Sequence, residues 1–218
     1  MTIQDIVQLS ALEAAPRLLG QIIHRITPAG EIRCRIVETE SYGGAEDKGS
    51  HAYGNRRTAR TEMMFRQGGV AYVYLIYGMY HCVNVVTGPA DDPQAVLIRA
   101  VEPLDTIDEQ RMLALRPVPP NRKRTLCNGP GKLCLALDID KSFNGVQLLG
   151  SGGTLRLEDA KEAADFEIEC GPRINIDYAE EYTAKPWRFY IKNHPYVSAK
   201  NSSPLLYTAP TQPALDQI

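Results

Sequence analysis

Three short segments hold the residues whose types and spacing could do chemistry. In IVETESYGG, strand alternation places Glu38, Glu40 and Tyr42 on one face and Val37 and Thr39 on the other. An acid in a β-rich run ordinarily marks a solvent face, and that is the expectation for Glu38. Glu40 differs in standing at the strand's end, directly before an arginine-rich loop, a common place for a catalytic carboxylate. Arg99 is embedded in the apolar run AVLIRAV, where an unpaired guanidinium is costly. Its partner could be Glu40 or a bound phosphate; a structural ion pair, or an arginine snorkelling from an edge strand, fits this run as well.

The third segment, AYVYLIYGMYHCVNVV, places Tyr72, Tyr74, Tyr77 and Tyr80 within nine residues. Tyr72 and Tyr74 share a face, and Tyr72 reads as core. Tyr77, Met79 and Tyr80 stand at a glycine-tipped turn as an amphipathic wedge, suited to entering a base stack. A protein-protein hot spot would look similar. Asn84 needs a hydrogen-bond partner if buried, and backbone would often serve. His51, in KGSHAYG, is ambiguous, and it forms no metal-ligand spacing with His24, His81 or His194. The run Asn128-Gly129-Pro130-Gly131-Lys132 resembles a fragment of a phosphate loop, but Leu133 stands where a nucleotide-binding motif needs Ser or Thr. That excludes a nucleotide triphosphatase, while Lys132 and nearby amides could still grip a DNA phosphate.

The elements that must position these residues are mostly strands. Ser10 and Glu13 form a capping-box pattern opening a helix that stops at Gly20 and is kinked or shortened by Pro16. Pro28-Ala29-Gly30 separates two β-rich runs and predicts a hairpin; Gly78-Met79 predicts another; AVLIRAVEP adds a strand. Between them, residues 41–69 form a long Gly-, Arg- and Asn-rich loop, the natural lid or binding loop. Residues 105–115 read as a helix and KLCLALDI as the start of another; later strands are expected at 154–158, 166–170 and 187–192. Hairpins without βαβ crossovers predict an α+β fold, a curved, open-barrel-like antiparallel sheet with peripheral helices. One domain is expected over 1–203, with a loosely ordered tail at 204–218.

At 218 residues and 44% hydrophobic, the chain can bury a substantial core. No stretch approaches the roughly 20 apolar residues of a membrane span, and no secretion signal is evident, so a cytoplasmic protein with no membrane partner is expected. The five cysteines form no C-x-x-C pair, which argues for buried thiols and against zinc. The net charge of -2 counts against nucleic-acid binding as an average. Its distribution counts the other way. Arg56, Arg57, Arg60 and Arg66 face only Glu62 between 55 and 67, and Arg111, Arg116, Arg122, Lys123, Arg124 and Lys132 follow without an acid. Two solvated loops would read the same.

The ordered string RIVETESYGG, GSHAYGNRRTART, AYVYLIYGMYHCVNVV, VLIRAVEP, NGPGKLCLALDI and KPWRFYI resembles the alkyladenine (3-methyladenine) DNA glycosylase family of mammalian type, from about Ala14 to Ser198. The resemblance implies a monofunctional base-excision enzyme that flips alkylated or deaminated purines out of duplex DNA and hydrolyses the N-glycosidic bond. It implies Glu40 as the base positioning water, with Arg99 assisting; Tyr42, His51 and Tyr74 around the extruded base; Asn84 crowding the amino group of normal guanine; and Tyr77, with Met79, filling the gap. Arg56, Arg57, Arg60 and Lys132 are the expected backbone contacts. Double-stranded DNA with damaged purines is the expected partner of a monomer without metal or organic cofactor, nucleoid-associated if bacterial. His81 and Pro16 depart from the family pattern locally. The competing class is a non-catalytic binder of distorted nucleic acid, which would have no need of a carboxylate at position 40.

Overall fold

The computed structural model describes residues 1–161, 165–199 and 201–209. Nine strands, all paired antiparallel, form one sheet: β1 (Ile22–Thr27), β2 (Gly30–Tyr42), β3 (Ala71–Ile76), β4 (Tyr80–Val86), β5 (Ala95–Pro103), β6 (Leu155–Glu158), β7 (Ile168–Gly171), β8 (Arg188–Ile191) and β9 (Leu205–Leu206). The order is β3-β4-β5-β2-β8-β7-β9, with β1 pairing β2 and β6. The sheet does not close, and the helices are few: α1 (Ile3–Ile6), α2 (Ala11–Arg17), α3 (Thr106–Leu115) and α4 (Pro130–Ala136). This is the expected α+β architecture.

The helix ends follow local chemistry. Ser10 accepts from the Glu13 amide while Glu13 reaches back to Ser10, and α2 ends one residue after Pro16, which has no N–H to donate to the Leu12 carbonyl one turn earlier. Asp105 caps α3 by accepting from the amides of Ile107 and Asp108. The helix expected to begin at Lys132 starts at Pro130, because proline is accommodated at a first helical position. Of the segment expected as a loose tail, Leu205–Leu206 pair with β7, and 210–218 lie outside the described residues.

Strand β2, 13 residues long, organises the sheet. Its first half pairs with β1 and its second with both β5 and β8. On one sheet face Val73, Val83, Val85, Val96 and Ile98 join a core with Leu133, Cys134 and Leu137 from the α4 region. All five cysteines are buried and unpaired. The long loop after β2 has its own anchor, a smaller cluster in which Ala52, Met64 and Phe65 pack with Tyr72, Val86 and Ala95. It is therefore fixed to the sheet by apolar contacts, not draped across it.

Candidate active site

The face of the sheet opposite the main core holds the site. Alternation along three strands, joined by one residue of a fourth, gathers the lining: Tyr72, Tyr74 and Ile76 from β3; Tyr80, Cys82 and Asn84 from β4; Ala95, Leu97 and Arg99 from β5; and Tyr42 from β2 all line one cavity of about 400 Å3. The register joins them, since Tyr74 lies opposite Cys82, Asn84 opposite Leu97 and Tyr42 opposite Ala95. The remaining wall comes from Gly49, Ser50 and His51, from Pro130 and Gly131, and from Ile174, Asn175, Ile176 and Tyr178. The volume falls within the range of small-molecule pockets and admits a purine.

Glu40 lies behind this wall and is fully buried. Its Oε1 accepts from the amide of Ile174 at 2.8 Å and faces Arg99 Nη1 at 3.2 Å, and its Oε2 accepts from the Tyr42 hydroxyl at 2.8 Å. All three of these neighbours line the cavity. Burial works against the charge of Arg99, but Glu40 and then Glu38 outweigh it, so its pKa is raised. Tyr42 has a hydroxyl pushed well above its usual range by burial and by the adjacent Glu40, so it is a donor and not a phenolate.

The expectation of a solvent face for Glu38 is overturned. Glu38 is fully buried, accepts from Arg188 Nη1 at 2.8 Å and from the Ser198 amide at 2.6 Å, and lies 3.6 Å from Arg99 Nε. Arg99 and Arg188 thus share Glu38, and Arg99 alone also faces Glu40; Arg188, in an otherwise apolar strand, is the countercharge that keeps Glu38 buried.

His51 reaches the Tyr72 hydroxyl with Nδ1 at 2.9 Å, while Arg60 donates to its Nε2 at 3.3 Å. An arginine only donates, so Nε2 accepts and the ring proton sits on Nδ1. Burial, then the charge of Arg60, lowers the His51 pKa to about 4. Its ring meets Tyr74 edge-on, with centroids 4.6 Å apart. Tyr72, expected as core, is indeed buried, and it is also part of the cavity wall. Asn84 donates to the Tyr72 carbonyl at 3.0 Å, the backbone partner anticipated for it.

At the cavity mouth, three residues, Tyr77, Gly78 and Met79, join the paired Ile76 and Tyr80, and Tyr77 and Gly78 both have positive φ, 53° and 68°, a conformation that favours glycine. A non-glycine residue held there is conformationally costly. It projects Tyr77, 70% exposed, and Met79, 65% exposed, away from the sheet. Tyr80, 39% exposed, stands beside them with its base packed on Gly131, where a Cβ would come within 2.9 Å of the Tyr80 Cβ.

The basic residues separate. Arg56 forms no ion pair among the described residues, Arg60 sits over the Tyr74 ring at 5.2 Å, and Arg57 is held by Glu62 at 2.7 Å and Asp91 at 2.8 Å. Lys132 donates to Asn128 at 2.9 Å, with burial and then Arg116 lowering its pKa. Sequence reading missed Ile174, Tyr178, Asp47 and Arg173, because only the tertiary structure brings segment 173–178 against the end of β2.

The comparisons with known proteins agree with this geometry. A family model described as methylpurine-DNA glycosylase matches residues 5–195. The chain belongs to that family. It is a DNA glycosylase, a hydrolase of N-glycosyl bonds, and DNA is its substrate. A Natranaerobius thermophilus protein provisionally named 3-methyladenine DNA glycosylase is 48% identical over 194 residues, covering 89% of this chain and 96% of the relative. Similarly named proteins of Clostridium botulinum (48% identical, 90% and 98% covered) and Bacillus cereus (49% identical, 87% and 94% covered) match comparably. Among the described residues no helix is long and apolar enough to cross a membrane, and no group of three or more His, Cys, Asp or Glu could hold a metal.

Proposed function

We propose that this glycosylase extrudes alkylated or deaminated purines, among them 3-methyladenine, 7-methylguanine, hypoxanthine and ethenoadenine, and hydrolyses their N-glycosidic bonds by a water held on Glu40. The observation carrying the proposal is the fixed carboxylate: Glu40 is held by Arg99, Tyr42 and Ile174 directly behind the wall of a cavity of purine size.

A base inside the duplex is out of reach of any such carboxylate, so it must leave the stack first, at a cost of a few kcal/mol that damage lowers. Tyr77 fills the gap, helped by Met79. Tyr42, Tyr74 and His51 receive the base, and each stacked contact is worth roughly 1–3 kcal/mol. Neutral His51 places no positive charge against a cationic alkylated purine. Asn84, which lines the cavity, is the residue that crowds the amino group of a normal guanine. Arg56, Arg60 and Lys132 meet the phosphate backbone, and Arg57 joins them by exchanging its acidic partners for phosphate.

Bond cleavage develops positive charge on the sugar, which Glu40 stabilises while accepting a proton from the water. Alkylation at N3 or N7 already makes the purine a good leaving group, so one carboxylate suffices for those bases, whereas a neutral base such as hypoxanthine must take up a proton, from water or another group, as it leaves. Among the described residues no lysine lines the cavity, and Lys48 is held by Glu180 and Glu181, which supports a monofunctional enzyme leaving an abasic site. The reading extends to a monomer acting in the cytoplasm, on the nucleoid if bacterial.

The test is single-turnover base release from lesion-containing duplexes by wild type and Glu40→Gln. The variant is expected to lose roughly 10²- to 10⁴-fold in rate, the usual span for one acid–base group. Equal rates would remove Glu40 from the chemistry.

A further inference from the structure

Both of the donors that hold Glu40 besides Arg99 are attached to one buried side chain. Arg173 has no side-chain exposure and binds Asp47 through two nitrogens, Nη1 to Oδ2 at 2.5 Å and Nη2 to Oδ1 at 2.7 Å. Nη1 also donates to the Ser41 carbonyl at 2.9 Å. The guanidinium carbon lies 4.7 Å from the Tyr42 ring centre and 5.0 Å from that of Trp187. Tyr42, stacked in this way, donates to one Glu40 oxygen, while Ile174, the residue following Arg173, donates its amide to the other. Asp47 in turn accepts from the amides of Gly43 and Gly49, which shapes the loop that ends in His51. A side chain at Gly49 would come within 2.8 Å of Arg173.

A buried ion pair is weak evidence for stability, because desolvation offsets much of its attraction. A planar, two-nitrogen fork stacked on an aromatic ring is, however, a strong constraint on orientation. We infer that Arg173, fixed by Asp47, is a positioning residue: it sets the Tyr42 ring and the Ile174 amide so that Glu40 and the base-receiving loop are held in one geometry before DNA binds. This rests on the reading of Glu40 as the hydrolytic base.

The experiment compares wild type with the uncharged double variant Arg173→Met/Asp47→Asn, in which the side-chain carbonyl at position 47 can still accept an amide proton and no buried charge is left unpaired. Thermal unfolding, affinity for an abasic-site duplex and single-turnover base release are measured on each. Base release is expected to fall about 100-fold, as for a misplacement of about 1 Å at the reacting centre. Abasic-duplex affinity, which depends on the hairpin tip and the basic loops, is expected to change by less than about threefold. In a Tyr42→Phe background the double variant's loss should be smaller than in wild type, because groups acting through one another are non-additive; a purely structural role would multiply the two losses. Base release at the wild-type rate, or multiplying losses, overturns the inference. Arg173→Lys provides a second variant if the first fails to fold: it keeps the charge but not the fork, and full activity in it would refute the brace. If wild type itself releases no damaged base, the glycosylase mechanism fails, and the brace is still read by trypsin. Cutting at Lys48, within the segment that Asp47 ties down through Gly43 and Gly49, should be faster in the double variant, and equal cutting would overturn it.

Discussion

Acidification should destabilise this fold through His51 by a calculable amount. The imidazole is held neutral by burial and by Arg60, with its pKa lowered from 6.5 to about 4. Between those values the unfolded chain binds a proton that the folded chain does not, so stability rises with pH across the window and is lost as pH falls. From pH 7 to pH 5 the loss is about 2 kcal/mol, approaching about 3 kcal/mol below pH 4. Other groups titrate in the same range, so the measured quantity is a difference. Urea unfolding at pH 7 and pH 5 is compared for wild type and His51→Asn, which removes the titrating ring and keeps a small polar side chain. The variant should lose about 2 kcal/mol less than wild type over that interval. Parallel pH dependences would refute the reasoning, showing that His51 is not held neutral by the fold. The functional corollary is that a protonated His51 would repel a cationic purine, so binding of such bases should stay level from pH 7 to pH 5 and weaken only as pH falls through about 4, while binding of neutral lesions weakens less.

Tyr77→Ala should weaken binding to lesion-containing duplex by roughly 5- to 150-fold, the equivalent of one lost stacking contact of about 1–3 kcal/mol, measured by fluorescence anisotropy; unchanged affinity would deny Tyr77 the wedge role. Glu38→Ala should cost about 3–5 kcal/mol in urea unfolding, since Arg188 and Arg99 lose a fully buried acid that both of them face. A loss under about 1 kcal/mol would mean that Glu40 alone compensates both guanidiniums.

Much of the architecture was legible because its signals are local. Ser10, Glu13 and Asp105 announce helix starts through side chains that bond amides within three residues, and the β1–β2 and β3–β4 hairpins are written in Gly30 and Gly78. The candidate site residues Glu40, Tyr42, His51, Tyr74, Asn84 and Arg99 do converge on one place, with Glu40 behind the cavity wall that the other five line. The face shared by Tyr72 and Tyr74 was readable from the period of two, but that Cys82, Asn84, Leu97 and Arg99 continue it was not. That depends on how β3, β4, β5 and β2 are paired, which is a register between distant segments.

The amino-acid sequence alone determined the kinds of groups available, namely a carboxylate at a strand end, a guanidinium in an apolar strand and aromatics at a hairpin tip, because those follow from composition and short-range periodicity. Tertiary structure decided their partners. Glu38 reads as a solvated acid until Arg188 and Ser198, 150 and 160 residues later, close around it. Arg173 and Ile174 carry no local sign of function at all, yet they hold Tyr42 and Glu40. The physical reason is that charge burial and hydrogen-bond satisfaction are properties of a packed neighbourhood, and that neighbourhood is assembled from β2, the loop after it and a segment some 130 residues away.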